Sequence, residues 1–188
     1  MTQEVSRSYL AVFLPFLPSE RIKRGKPPDA PFALVEKQRG SMRLVAVDKE
    51  ALTLGLRPGL ALADARAQVP ELIVFGADDR ADTVLLEWLA DGCDRYTPMV
   101  ATDPPHGLIL DITGCTHFFG LGSAGLVSDL AARFARLGLT AHLATAATPD
   151  AAAALARHGG DDVRALPITA LRIDADIHNA LSRAGLRS

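Results

Sequence analysis

What the chain lacks narrows its class before any motif is read. Its 188 residues hold two cysteines, Cys93 and Cys115, too few for a disulfide framework. No apolar run approaches bilayer length; the longest near the start, Tyr9 to Leu17, stops at about half of one. Nor does the start carry the basic stretch and small-residue cleavage site of a signal peptide, so a cytoplasmic protein is expected. There is no internal repeat and no low-complexity tract beyond Ala151 to Ala154. Strong net charge is missing too: 20 Lys and Arg face 22 Asp and Glu, a formal −2 that lacks the basic balance of an autonomous DNA-binding module. Lysine is absent after residue 49, so the later chain offers no lysine nucleophile or phosphate anchor.

What is present suits a packed domain. Hydrophobic residues make up 48% and charged residues 22%, a globular composition. The charge is polarised: residues 1–73 carry 11 basic and 8 acidic side chains, whereas 74–188 carry 9 and 14. Eight of the basic residues fall between Arg21 and Lys49. Of these, Lys23, Arg24 and Lys26 are candidate phosphate or DNA contacts, although the Arg24-Gly-Lys-Pro-Pro-Asp29 stretch also has the chemistry of a solvated linker.

Periodicity and punctuation predict the elements. Tyr9 to Leu14 reads as a buried strand running into a proline turn. Pro31 to Glu36 and Arg43 to Val47 read as a hairpin across Gln38-Arg-Gly-Ser41. Two short helices follow, Asp48 to Leu54 and Leu62 to Gln68, then a strand over Leu72 to Phe75. Val84, Leu85, Trp88 and Leu89 set an amphipathic helix within Asp79 to Asp94. Leu108 to Thr113 is a strand, Ser123 to Leu137 a helix, Leu139 to Ala147 a strand and Asp150 to His158 an alanine-rich helix. Leu166 to Ser188 reads as helical, and the chain is expected to continue past it. This order suggests an α+β sandwich of ferredoxin-like type with an inserted subdomain.

Three constellations invite chemistry and fit it poorly. Gly120-Leu-Gly-Ser-Ala-Gly125 has the G-x-G-x-x-G spacing, but six residues separate it from the preceding strand and no acidic residue follows at the right distance. Cys93, His106, Cys115 and His117 do not have a recognised zinc spacing. Ser123, His117 and Asp111 could be drawn as a triad, yet Ser123 lacks a nucleophile elbow.

The order of short motifs resembles the Y-family (UmuC/DinB-like) DNA polymerases. VAVDKEALTLGLRPGL, from Val45 to Leu60, resembles the fingers segment "Y-E-A-R-x-x-G-V-x-x-G-M". Tyr96-Thr-Pro-Met-Val100 fits "Y-T-P-x-V", and Leu110-Asp-Ile-Thr-Gly114 fits "L-D-x-T-G" at matching distance. Leu139 to Ala156 is similar to the strand-helix segment "S-x-G-I-A-x-N-K-x-x-A-K". The resemblance implies a palm from residues 1–24 and 74–165, fingers from 25–73, and the start of a helical thumb from 166–188, its family hairpin replaced by Leu171 to Asp174.

The same resemblance marks what is missing. Polymerase chemistry needs carboxylates holding two magnesium ions about 4 Å apart. In "D-x-D-x-F-F-A-S-V-E" the final glutamate matches Glu20, which places Ala11 at the metal aspartate, Phe13 at its neighbour and Phe16 at the residue that screens the ribose 2′ position. "S-I-D-E-A-F-L-D" aligns with Pro104 to Asp111, putting His106 and Gly107 at the acidic pair. The triphosphate-binding Tyr and Arg fall at Lys49 and Leu52, and the "N-K" lysine near Pro149. The implied protein is a catalytically inactive Y-family branch that needs no metal cofactor. It would be a cytoplasmic, nucleoid-associated scaffold of damage-induced mutagenesis that binds DNA weakly. Its implied partners are an accessory protein, an error-prone C-family DNA polymerase and the sliding clamp, engaged mainly beyond Ser188. Asp111 is expected to stabilise a turn at Thr113. Two other readings stay open: an active nucleotidyltransferase drawing carboxylates from Asp103 and Asp111, and a nucleotide-sensing domain. Restoring acidic residues at Ala11, His106 and Gly107 is expected to recover metal binding before synthesis.

Overall fold

The computed structural model describes residues 7–25, 28–115, 122–171, 173 and 175–184. Its elements are β1 (Tyr9–Phe13), α1 (Leu17–Lys23), β2 (Phe32–Gln38), β3 (Ser41–Val47), α2 (Lys49–Thr53), α3 (Leu62–Gln68), β4 (Ile73–Gly76) and α4 (Asp79–Asp91). β5 (Val100–Asp103), β6 (Gly107–Asp111), α5 (Ser123–Arg136), β7 (His142–Ala146), α6 (Pro149–His158), two 3-10 turns (Val163–Ala165 and Ile168–Leu171) and α7 (Ala175–Arg183) complete it. The described residues divide into two compact units. One takes the chain up to Pro15 with Leu86–Phe134 and the residues from Ala141 onward; the other takes Phe16–Leu85 with Ala135–Thr140.

The first unit is built on an antiparallel sheet ordered β5-β6-β1-β7. β1 is central: Ala11 pairs with Ile109 of β6 and Ala144 of β7, and Phe13 pairs with Gly107 and His142. Because side chains alternate along a strand, Leu10 and Val12 share one face with Leu108 and Leu110, all buried. Tyr9, Ala11 and Phe13 share the other with Ile109, Ala144 and Ala146, and this face meets α6 through Ala152, Ala153 and Ala156. Small residues on both sides allow the close approach. Thr148 caps α6 by accepting the Ala151 N–H, and Pro149 opens the helix where its missing N–H is not needed.

The second unit has a three-stranded sheet ordered β3-β2-β4, with β2 antiparallel to β3 and parallel to β4. Ala33, Val35, Leu44, Val47, Ala51, Leu56, Ala65, Val69 and Leu72 form its core. At the hairpin tip Arg39 (φ 50°) and Gly40 (φ 85°) both adopt left-handed backbone, the geometry that two-residue hairpin turns need to match strand twist.

Several expectations are revised. The proline turn after β1 is the entry to a helix, α1, with Pro18 in its first turn, acidic Glu20 there and basic Lys23 at its end. Val100–Asp103, which carried no strand expectation, pairs with β6. The last stretch, read as helical throughout from Leu166, opens instead with the 3-10 turn Ile168–Leu171, and α7 runs from Ala175. The start of the glycine motif, Gly120 and Leu121, lies outside the described residues, as do His117, Lys26 and Asp174.

Candidate functional site

The positions that the polymerase resemblance assigns to metal carboxylates converge on one end of the four-stranded sheet. Ala11 is 1% exposed, its methyl closed in by the alanines of α6. Phe13, two residues on and on the same face, pairs with Gly107 across the sheet. Gly107 in turn pairs with Asp103 of β5. His106 lies in the turn between β5 and β6, where its carbonyl accepts the Leu14 N–H at 2.9 Å.

Two residues that motif reading did not single out as a pair dominate this end. The Asp103 carboxylate is engaged by the Arg157 guanidinium, reaching from the last turn of α6. That guanidinium also lies 5.5 Å from the centre of the Phe13 ring, a cation over an aromatic face. His142 meets the same ring edge-on at 6.2 Å. Room at Gly107 is used up: a Cβ there would sit 2.8 Å from the Asp103 carbonyl oxygen and 3.0 Å from its Oδ2.

These residues do not fit a magnesium ion. Magnesium demands about six oxygen donors in near-octahedral order, whereas this end offers a methyl, a glycine and one carboxylate already bound to a cation. Among the described residues no group of three His, Cys, Asp or Glu side chains gathers for a metal. Asp103 and Asp111 do not form a substitute pair. Asp103 pairs with Gly107 of β6, and Asp111 lies four residues further along that strand, about 13 Å away. Asp111 instead accepts the Thr113 N–H at 2.9 Å; its hydrogen bonding with Thr113 lowers its pKa below the usual value of 3.8. That is the turn role its sequence context suggests.

A cavity of about 910 Å3 opens beside Asp103. Ile109, Ala153, Ala154, Val163 and Leu166 supply apolar wall, and Asp150 adds a second carboxylate. Arg164 also lines it, but is ion-paired with Asp162 at 3.1 Å. Two carboxylates and no lysine make this a poor receptacle for a triphosphate.

The nucleotide-related positions of the second unit are organised around Glu20. This glutamate is 6% exposed and accepts the Thr140 N–H at 2.8 Å and the Thr140 hydroxyl at 2.5 Å. Lys49 completes the set, with Nζ 3.2 Å from Glu20 and 5.5 Å from the Phe16 ring centre. Lys49 therefore covers the aromatic position that the resemblance assigns to sugar screening. Leu52 packs on the fingers-like core and offers no polar atom beyond its backbone. Lys23, a candidate phosphate contact, donates to Asp48 at 2.7 Å and lies over Phe32, while Arg24 donates to the Leu137 carbonyl at 3.4 Å.

Buried polar groups elsewhere are structural. Tyr96 of the Tyr-Thr-Pro motif donates to Asp129 at 2.5 Å; burial and that carboxylate push its pKa up to about 12. Burial likewise pushes the Cys93 thiol up to about 11, which makes it a poor nucleophile.

No protein-family model matches the chain. Two curated proteins do: Protein ImuB of Caulobacter vibrioides strain NA1000 / CB15N and of strain ATCC 19089 / CIP 103742 / CB 15. Each is 43% identical over 144 residues, covering 71% of this chain. The chain spans 31% of the length of these relatives. Among solved structures, an insertion ternary complex of Dbh DNA polymerase superposes with a TM-score of 0.79 at 13% identity, covering 96% of this chain and 58% of that one. DinB from Sulfolobus solfataricus gives 0.71 at 14% identity, with the same coverage. At such identities the likeness shows the fold, a mixed α+β palm-and-fingers architecture, and the curated relatives supply the kinship.

Proposed function

We propose, from the premise that this chain is a Y-family DNA polymerase homologue related to ImuB, that it is a non-catalytic scaffold of damage-induced translesion synthesis. It keeps the polymerase fold and recruits a working polymerase rather than extending a primer. The observation that carries this reading is the metal-ligand end of the sheet: Ala11 is sealed against α6 and Gly107 has no room for a side chain. Two-metal phosphoryl transfer depends on oxygen ligands that hold two metal ions, and it is the ions that clamp the attacking and leaving oxygens. The chain's own groups do other work there. Arg157 neutralises Asp103, and Lys49 covers Phe16.

The partners we propose follow the same kinship: an ImuA-type protein, an error-prone C-family DNA polymerase and the sliding clamp, engaged largely outside residues 1–188. DNA contact would be weak, and the setting the bacterial cytoplasm near the nucleoid. Among the described residues no helix is long and apolar enough to cross a membrane.

The direct test is primer extension by purified protein with magnesium or manganese. No extension is expected, and robust template-directed synthesis free of contaminating polymerase would overturn the scaffold reading. A nucleotide sensor is separated by melting the protein with each deoxynucleoside triphosphate. An unchanged melting temperature is expected, because Arg164 at the cavity is already ion-paired with Asp162 and Lys49 covers the ring of Phe16.

A further inference from the structure

We infer that Arg157 is a built-in cation at the metal-ligand end of the sheet, holding the Asp103 carboxylate where the polymerase fold would otherwise gather divalent ions. The inference rests on reading this end as a polymerase centre that has lost its carboxylates. It adds what replaced the ions.

Three elements meet at the guanidinium. β5 supplies Asp103, β1 supplies the face of Phe13, and α6 supplies Arg157 itself. Both partners of the ion pair are largely buried, at 16% and 18% side-chain exposure. A permanently charged, planar fork suits this position: it can bond a carboxylate in its plane while its face lies on an aromatic ring, which an ammonium cannot do equally well. Gly107 belongs to the same arrangement, since any Cβ there would press on the Asp103 oxygen that Arg157 binds. Ala11 belongs to it as well. Its methyl packs on Ala152, Ala153 and Ala156 of the helix whose last turn carries Arg157. One helix thus closes the aspartate position with methyl groups and satisfies the remaining carboxylate with its own cation. A carboxylate this buried needs a counter-charge. Here it is covalently attached, so this end of the sheet requires no metal.

The test compares full-chain wild type with Arg157→Gln, Asp103→Asn and the double variant. Two readouts are used: thermal melting, and binding of manganese(II), alone, followed by its electron paramagnetic resonance signal. Wild type is expected to bind no manganese through Asp103. Each single variant should melt lower than wild type, and the double variant should melt no lower than the worse single, because both substitutions remove one interaction. Arg157→Gln removes the guanidinium counter-charge from Asp103, so millimolar manganese should raise its melting temperature while leaving wild type and the double variant unmoved. Additive losses, or an Arg157→Gln protein as stable as wild type, would overturn the inference. So would wild-type manganese binding that Asp103→Asn abolishes, or an Arg157→Gln protein that manganese does not stabilise. Should Arg157→Gln fail to fold, Arg157→Lys keeps a charge without the fork. It is expected to fold and melt lower; equal stability would count against the guanidinium. Manganese binding through Asp103 by a wild type that extends no primer would overturn this inference alone, whereas primer extension would overturn the scaffold reading whatever Arg157 does.

Discussion

Asp48 shows how one side chain can serve three masters. Its carboxylate caps α2 by accepting the Ala51 N–H at 2.9 Å, accepts the Phe32 N–H at 3.3 Å and binds Lys23 at 2.7 Å. Burial pushes its pKa up, but these donors outweigh burial and hold it below the usual 3.8. A carboxylate with a depressed folded pKa contributes stability that is complete above its unfolded value and is lost as pH falls through the folded one. Acid unfolding should therefore steepen below about pH 4, and Asp48→Asn should flatten that limb in a pH series of denaturant melts. Asp48→Ala should cost about 2 to 3 kcal/mol. Ala11 carries the opposite lesson. From sequence alone, Ala11→Asp looks like a restored metal ligand. In the structure it places an unpaired carboxylate among alanines, so chemical denaturation should register a loss of about 3 kcal/mol or more, with no gain in metal affinity.

Among the elements, the β2–β3 hairpin stores local strain. Arg39 holds a left-handed backbone that L-residues with side chains adopt reluctantly, and its neighbour Gly40 does so freely. Arg39→Gly, or Arg39→Asn, should raise stability by about 0.5 to 1 kcal/mol, read as a higher denaturation midpoint with unchanged m-value. α6 and the sheet below it respond in the other direction. Gly107→Ala, the smallest side chain that tests the crowded spot beside Asp103, should lower stability. The same change at Gly76, where a Cβ would meet nothing within 4 Å, should be nearly silent by the same melting assay.

For the chain as a whole, formal charge −2 and the pairing of its cations set the expected behaviour toward DNA. Lys23 is committed to Asp48 and Lys49 to Glu20. Residues 1–188 should bind duplex DNA no better than the roughly 10⁻⁴ to 10⁻⁶ M typical of non-specific contact at physiological salt. Fluorescence anisotropy across a salt series checks this, and nanomolar, salt-resistant binding would refute it. Arg24→Gln removes a basic side chain without breaking the Lys23–Asp48 ion pair, which a Lys23 variant would break. Limited proteolysis should cut first near Gly25 to Asp29, a stretch of turn chemistry. A first cut inside β6, paired on both sides by β5 and β1, would contradict the observed sheet.

Much of this architecture was legible before any coordinate, because local rules agreed with the fold. The apolar run of β1, the turn at Gln38 to Ser41, the periodic stripe of α4 and the alanine-rich α6 each announce themselves by period and punctuation. The motif order from Val45 to Gly114 carried the family, and the same resemblance assigns Ala11, His106 and Gly107 to the metal-carboxylate positions. α1 escaped because Pro15 and Pro18 read as a turn, although proline in a first helical turn followed by Glu20 was the signal available. β5 escaped because its four residues before Pro104, the outer two half-buried and the inner two exposed, carry no alternation to detect. The rest depended on tertiary structure. Asp103 and Arg157 stand 54 residues apart, and Glu20 and Thr140 stand 120 apart. No local pattern links such pairs. Only strand pairing and helix docking bring them within bonding distance, and that proximity makes Asp103 half of an ion pair and Glu20 the acceptor of Thr140.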